Sequence, residues 1–412
     1  MTLSTLLRAV QPPPAVLATL AVSVALTSCQ LPDQNTQAVT STHIDVRKAL
    51  SVDENVQPAA PAPVKLPAQA APLNDTARML AGLPAEGRDY FGEIRGSPSW
   101  ANHKAKLDRL WMDFDLRHEV PIRSWASSQI SDLQASSTLF YPFSGPDFLF
   151  ADAFFPRSDT IVLCGLESCE PLPPLTQLSA DDIHGSLDGM TTAISTAMQF
   201  SFFITKDMRR DLASTRLKGV LPLILTFMAR SGHRVDSVDL VRLDGNGQPV
   251  VVNSGGSATG LLIRGTGPGG RARRVFYFHQ DLSDGALHTG SPFLRFVSSQ
   301  GRPATFVKSA SYLMQTDGFH TVRNFLMTSC RGIVQDPSGV SYRDLLASGA
   351  DIRLYGNYQG TLDMFNSHQQ PDLLAAYQQG QAQPLNFGIG YMYQPSHSSL
   401  IVVRPGHHVS AR

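Results

Sequence analysis

Thr138-Leu-Phe-Tyr-Pro-Phe-Ser-Gly-Pro-Asp-Phe-Leu-Phe-Ala-Asp-Ala-Phe-Phe155, followed at once by Thr160-Ile-Val-Leu-Cys-Gly165, is the stretch from which the fold is read. Thr138 to Phe143 and Thr160 to Gly165 are short apolar runs of the kind that forms buried strands. Between them, Pro146 to Phe155 reads as a helix, with Ser144 or Gly145 as its cap, Pro146 as its first residue and Asp147 in its first turn. That connection is too long for a hairpin, so the two strands should run parallel with the helix as crossover. Unpaired N–H groups at such a junction face the C-terminal edge of the sheet, where α/β proteins bind ligands and anions in particular. The Asp147 carboxylate competes for the same amides, so self-capping and a ligand site both remain open.

The same grammar extends in both directions. Asn74 or Asp75 can cap a short helix through Ala81, and Ser97-Pro98 opens a clearer one with Trp100, Leu107, Trp111 and Phe114 on one face. Core packing explains these tryptophans better than a carbohydrate platform does. Ile122, Trp125, Ile130 and Leu133 imply a second, less regular helix, and Ser179 with Asp182 opens a strongly periodic one through Met198. Thr205 caps a helix containing Met208, and another runs from Val220 to Gly232. A β-rich section follows, in which Val235–Leu243 and Pro249–Val252 flank the turn Asp244-Gly-Asn-Gly, and Thr259–Arg264 pairs with Arg274–Gln280. Helices at Ser291-Pro292 and Pro371–Gln379, with strands at Ile352–Tyr355 and Leu400–Val403, complete one mixed α/β domain over residues 74–405, with a tail at 406–412. The expected fold is a mixed sheet with flanking helices.

The N-terminus differs in kind. Residues 1–28 combine Arg8, an apolar run from Ala15 to Leu26 and small residues, the layout of a secretory leader and too short to span a bilayer. Leu26-Thr27-Ser28-Cys29 resembles the bacterial lipobox, which implies a diacylated or triacylated Cys29. Several acyl chains hold a protein stably on a membrane. By resemblance to enterobacterial sorting, Gln30 in place of Asp points to the outer membrane. Residues 29–73 are polar and then Pro- and Ala-rich, a composition that cannot bury enough to fold; the Pro-rich part should stay extended, so the segment reads as a disordered linker or stalk holding the domain away from the lipid surface. No later run approaches the length of a membrane helix. The 412 residues carry zero formal charge and no basic block, which argues against nucleic acid as a partner. Cys164, Cys169 and Cys330 remain for the domain; one pair can bridge, and buried free thiols are the plainer reading.

Two further segments carry polar chemistry. Lys308-Ser309-Ala310-Ser311-Tyr312 sets a cation beside three hydroxyls; as a strand it would place Lys308, Ala310 and Tyr312 on one face and both serines on the other. Asp336-Pro-Ser338-Gly339 offers a carboxylate and a hydroxyl, or an ordinary turn. Gly265-Thr-Gly-Pro-Gly-Gly270 matches a dinucleotide fingerprint in letters, but a strand follows it where a helix is needed, so it reads as a β-turn. His279, Asp281 and His320 make a weak case for a metal site, and no metal or cofactor is expected. The common hydrolase, protease and phosphate-loop motifs are missing.

Phe140 to Pro156, Lys308-Ser-Ala-Ser-Tyr-Leu-Met314 and Gln335-Asp-Pro-Ser-Gly339 with Tyr342 resemble an uncharacterised family of bacterial exported proteins and lipoproteins, as do Gly165-Leu-Glu167, Ser201-Phe-Phe and Phe387-Gly-Ile-Gly-Tyr391. The resemblance covers most of residues 74–405 and implies no particular activity. Pro337 stands where the family pattern has a second acid. Three functions are therefore expected in order: a lipid-anchored binding or structural component of the envelope; an envelope hydrolase or transferase whose cleft gathers Ser144, Asp147, Lys308, Tyr312 and Asp336, with Gly145, Ser309 and Ser338 beside them; and a Rossmann-like fold of methyltransferase type around Gly145.

Overall fold

A computed structural model describes residues 72–200, 212, 215–253, 258–391 and 393–405. The leader, Cys29, most of the linker, the Thr205–Met208 helix, Ser201-Phe-Phe and the tail lie outside the described residues. Ten strands form one mixed sheet: β1 Thr138–Tyr141, β2 Thr160–Gly165, β3 Arg234–Leu243, β4 Pro249–Val251, β5 Gly260–Thr266, β6 Ala272–His279, β7 Ala304–Val307, β8 Gly332–Gln335, β9 Asp351–Gly356 and β10 Ser399–Arg404. The helices used below are α1 Leu73–Leu80, α2 Pro98–Phe114, α3 Val120–Gln129, α4 Phe148–Phe154, α5 Ala180–Phe200, α6 Leu221–Arg230, α7 Pro292–Ser299, α8 His320–Ser329, α9 Tyr342–Ala347 and α10 Pro371–Gln378.

Across the sheet the order is β4-β3-β5-β6-β2-β1-β7-β8-β10-β9. Its centre, β6-β2-β1-β7-β8, is parallel throughout, and β1 pairs with β2 from Thr138↔Thr160 to Tyr141↔Leu163. The chain moves from β1 outward through β2 to β6, then returns to the other side of β1 for β7 and β8. That is the 3-2-1-4-5 progression of a doubly wound sheet, with its topological switch between β1 and β7. The expected hairpins around Asp244-Gly-Asn-Gly and Gly265–Gly270 are both present as antiparallel pairs.

Parallel strands covered on both faces read as continuous apolar runs, and here alternate residues feed two separate cores. Leu139, Tyr141, Ile161 and Leu163 pack with residues of α1 to α6. Phe140, Val162 and Cys164 pack on the opposite face with residues of α7 to α10. The result is three layers in one domain.

Local differences from the sequence expectations have local causes. Helix α1 begins at Leu73, because Asn74 and Asp75 have other work: the Asn74 side chain accepts from Val235 N–H, and Asp75 pairs with Arg95. Ser97 caps α2 as expected, accepting from Trp100 N–H at 3.1 Å. Helices α2 and α3 are joined without a break by a π-turn, Asp115–Glu119, and Ile130 begins a separate single turn, Ser131–Gln134. Ser179 and Asp182 form the expected reciprocal cap of α5. All three cysteines of the domain are free thiols, so no pair bridges; burial pushes Cys164 and Cys330 up to about 12.

Candidate functional site

The loops after β1 and β7 bring the predicted residues to the C-terminal edge at the switch point, but not as one constellation. Strand β1 stops at Tyr141, before Pro142, and helix α4 starts only at Phe148. Asp147 is therefore the N-cap itself, in place of Ser144 or Gly145, with Oδ1 accepting from Phe150 N–H at 3.1 Å. Its Oδ2 accepts from the Tyr141 hydroxyl at 2.9 Å and pairs with Lys308 Nζ at 2.8 Å. Lys308 Nζ also lies 3.7 Å from the centroid of the Phe150 ring, a cation–π contact. Both charged side chains are at most 4% exposed.

Ser144 and Gly145 face the other way. Ser144 Oγ accepts from Cys164 N–H at 3.0 Å, and Gly145 N–H donates to the Cys164 carbonyl at 3.2 Å, which clips the loop to the end of β2. Gly145, at φ +53°, presses its backbone on Gly165 and lies beside the Glu167 carboxylate. Glu167 is buried and accepts from the Tyr277 hydroxyl at 2.8 Å.

Beyond Val307 the chain turns, and the strand considered for Lys308–Tyr312 does not form. Ser309, Ser311 and Tyr312 hold φ of +53°, +52° and +58°, the left-handed region that side chains rarely occupy. Asp336 at the end of β8 holds this turn: Oδ2 accepts from Ser309 N–H and Oδ1 from Ser338 N–H, each at 2.9 Å, with the Ser338 hydroxyl donating to Oδ1 as well. Ser338 Oγ in turn accepts from Ala310 N–H at 2.8 Å. From above, the Tyr391 hydroxyl donates to the Ser309 carbonyl and accepts from Ser311 N–H. Asp-Pro-Ser-Gly is thus a turn, and one that also locks its neighbour.

Electrostatics follow from burial. Desolvation lowers Lys308, against the pull of Asp147, and raises Asp336 despite its three donors. Tyr141, Tyr312 and Tyr391 are raised for the same reason. His118, on the π-turn between α2 and α3, is lowered by burial; its Nδ1 lies 3.0 Å from the Gly388 carbonyl, and the Lys308 charge acts on it too.

A cavity of about 20 Å³, room for a water molecule or a small polar group, opens beside this network. Tyr312, Asp336, Ser338, Tyr358 and Tyr391 line it. Tyr312 stacks on His368, and Phe365 bridges Tyr312 and Tyr391. The Tyr358 hydroxyl is buried and completes no hydrogen bond of good geometry, with only a weak interaction at the Gln370 backbone. Asp147, Lys308, Ser309, Tyr312, Asp336 and Ser338 therefore belong to one connected region, and Ser144 and Gly145 to the adjoining β1–β2 clip.

Among the described residues no group of three His, Cys, Asp or Glu side chains gathers as metal ligands. His279 is engaged with the Glu167 carbonyl and His320 with Asp284. The residues that sequence reasoning did not select are Tyr141, Glu167, Tyr358, Tyr391 and His118. Glu167 carried a signal, an acid about 20 residues beyond the glycine turn and just past the second strand; His118 carried none, since only the π-turn aims it inward. The chain matches no known protein family, and neither a curated protein nor a solved structure is similar to it.

Proposed function

We propose that this chain is a lipid-anchored component of a bacterial cell envelope, held through Cys29 and sorted to the outer membrane, whose domain binds a small ligand at the β1–β7 switch point. The observation that carries the binding site is where the backbone is strained. Phe143, Ser309, Ser311 and Tyr312 are the non-glycine residues with positive φ among the described residues, and all four lie in the loops after β1 and β7. Each such residue costs on the order of 1–3 kcal/mol, and strain of this kind collects at binding and active sites. The crevice between those loops is also where a doubly wound sheet takes its ligand. The lipobox-like Leu26–Cys29, the Pro/Ala-rich linker and the resemblance to exported lipoproteins support the anchor.

Binding is favoured over catalysis because Asp147, Asp336, Ser144 and Ser338 already hold the fold together. Two measurements test the reading. Globomycin should block maturation, and intact mass should show acylated Cys29; a protein released freely into the soluble periplasm would remove the anchor. A thermal-shift screen of small envelope metabolites should find compounds that stabilise the wild type and leave Tyr312→Ala unmoved, whereas equal shifts in both would remove the site.

A second reading, an envelope enzyme, is favoured by the opposed displacements of Lys308 and Asp336, the pattern that acid–base sites exploit. A methyltransferase-type activity draws support from the 3-2-1-4-5 strand order and from Glu167 beside Gly145. Calorimetric titration with S-adenosylmethionine separates it from the first reading, since heat is expected only if the nucleoside occupies that edge.

A further inference from the structure

The described residues expose seven large apolar side chains, and three of them, Met112, Leu116 and Val120, fall on the continuous helix that runs from α2 through the π-turn into α3. They are 62%, 70% and 63% exposed, while Trp111, Phe114 and Ile122 on the other side are buried. A spacing of four residues drifts slowly around an α-helix, and the wider π-turn takes up part of that drift. The three side chains thus form a ridge along one outer face of a helix whose exposed charges are balanced, Arg109 and Arg117 against Asp113 and Asp115, with Arg117 paired to Asp113 at 2.7 Å.

We infer that this ridge is a membrane-docking face that seats the domain on the lipid leaflet; the inference rests on the lipid-anchor reading. Two arguments select the leaflet over a second copy of the chain. The ridge offers roughly 300–400 Å² of apolar surface, the size of the largest patch on an ordinary monomer. Two such ridges together fall short of the roughly 1,200 Å² that a specific dimer buries. A convex single-helix ridge can instead sink its side chains into the headgroup–acyl boundary, where partial apolar area adds to an existing anchor.

The test uses the full lipidated chain in vesicles of phosphatidylethanolamine and phosphatidylglycerol doped with a diazirine phospholipid. After photolysis and trypsin, lipid adducts should concentrate on peptides 110–117 and 118–123. A Leu116→Asp/Val120→Asp variant should lose them at least fivefold with acylation and circular dichroism unchanged. Acylated protein whose adducts lie elsewhere, or are unchanged in the variant, overturns the docking face, as does a concentration-dependent dimer that the variant abolishes. Should Cys29 prove unacylated while added vesicles still label 110–123, the docking face stands and the anchor falls.

Discussion

Helix α4 carries two buried carboxylates at its two ends, and they have been given different partners. Asp147, at its N-terminus, faces Lys308 at the C-terminal edge of the sheet. Asp152, near its other end, meets Arg273 at 3.2 Å and Arg123 at 3.0 Å, with His233 Nε2 3.5 Å away. The Arg273 guanidinium also donates to the carbonyls of Ser158 and Pro156, at 2.6 and 2.8 Å. A guanidinium stays charged at any accessible pH and its fork suits several fixed acceptors, so the Asp152 cluster is a permanent clamp. Lysine can lose its proton when buried. The Asp147 cluster adds a carboxyl raised by burial and a left-handed turn, and on the proposed binding reading this is the end of the helix where charge and backbone would respond to a ligand.

That contrast can be broken experimentally. Arg273→Met should be the more damaging change, costing about 3–5 kcal/mol in urea unfolding, because it leaves Asp152 and two carbonyls short of donors in the interior. Lys308→Met should cost less, about 1–3 kcal/mol, since Asp147 keeps the Tyr141 hydroxyl and Phe150 N–H. Equal losses would make both ends structural clamps.

Proton linkage sharpens the same difference. The folded value of Lys308 lies below its ordinary 10.5. Between the two values the unfolded chain binds the extra proton, so this group makes stability rise with pH across that window. Subtracting the Lys308→Met profile from the wild type should isolate the rise, and Arg273→Met should leave it in place. On the acid side, burial lowers His103, His118 and His233 below 6.5. The unfolded chain then takes up protons first, and stability should fall as pH drops from about 6.5 through the folded values. His233→Phe should shallow that fall, measured by thermal unfolding from pH 7 to 5.

The smallest effect concerns the turn. Ser309 holds φ +53° and its hydroxyl is buried without a partner, so Ser309→Gly removes both costs. It should stabilise the protein by about 1 kcal/mol, less the extra entropy of glycine in the unfolded chain. Ligand affinity should fall in the same variant; a loss of stability would show that the turn is not strained.

Much of the architecture was legible because periodicity and turn chemistry are local. The β1–α4–β2 crossover, both Gly-rich hairpins, the Ser97 cap and the Ser179–Asp182 cap all form where Thr138–Gly165 and the flanking patterns put them. The site was legible in composition only. Composition points to Lys308, Asp147 and Asp336 as polar residues near strand ends, yet the alternation in Lys308–Tyr312 reads as a strand, since nothing in Lys-Ser-Ala-Ser-Tyr announces three left-handed residues. That conformation exists because Asp336, Ser338 and Tyr391 bind the turn's backbone from distant parts of the chain. Ser144 looked equivalent to Asp147 in sequence, and only the packing of β1 against β2 turns it toward Cys164.

The amino-acid sequence by itself determined the β1–α4–β2 unit, the two Gly-rich hairpins and the caps at Ser97 and Ser179, because each depends on residues within a few positions of one another, whereas β7, β8 and the caps of α1 and α4 did not follow from it. Tertiary structure alone decided which strands became neighbours, and hence that Asp147 meets a lysine while Asp152 meets arginines. Lys308 and Arg273 lie more than a hundred residues from the carboxylates they meet, and even Arg123 lies 29 residues from Asp152, and a charge finds its counterpart only after burial has removed water as the competitor.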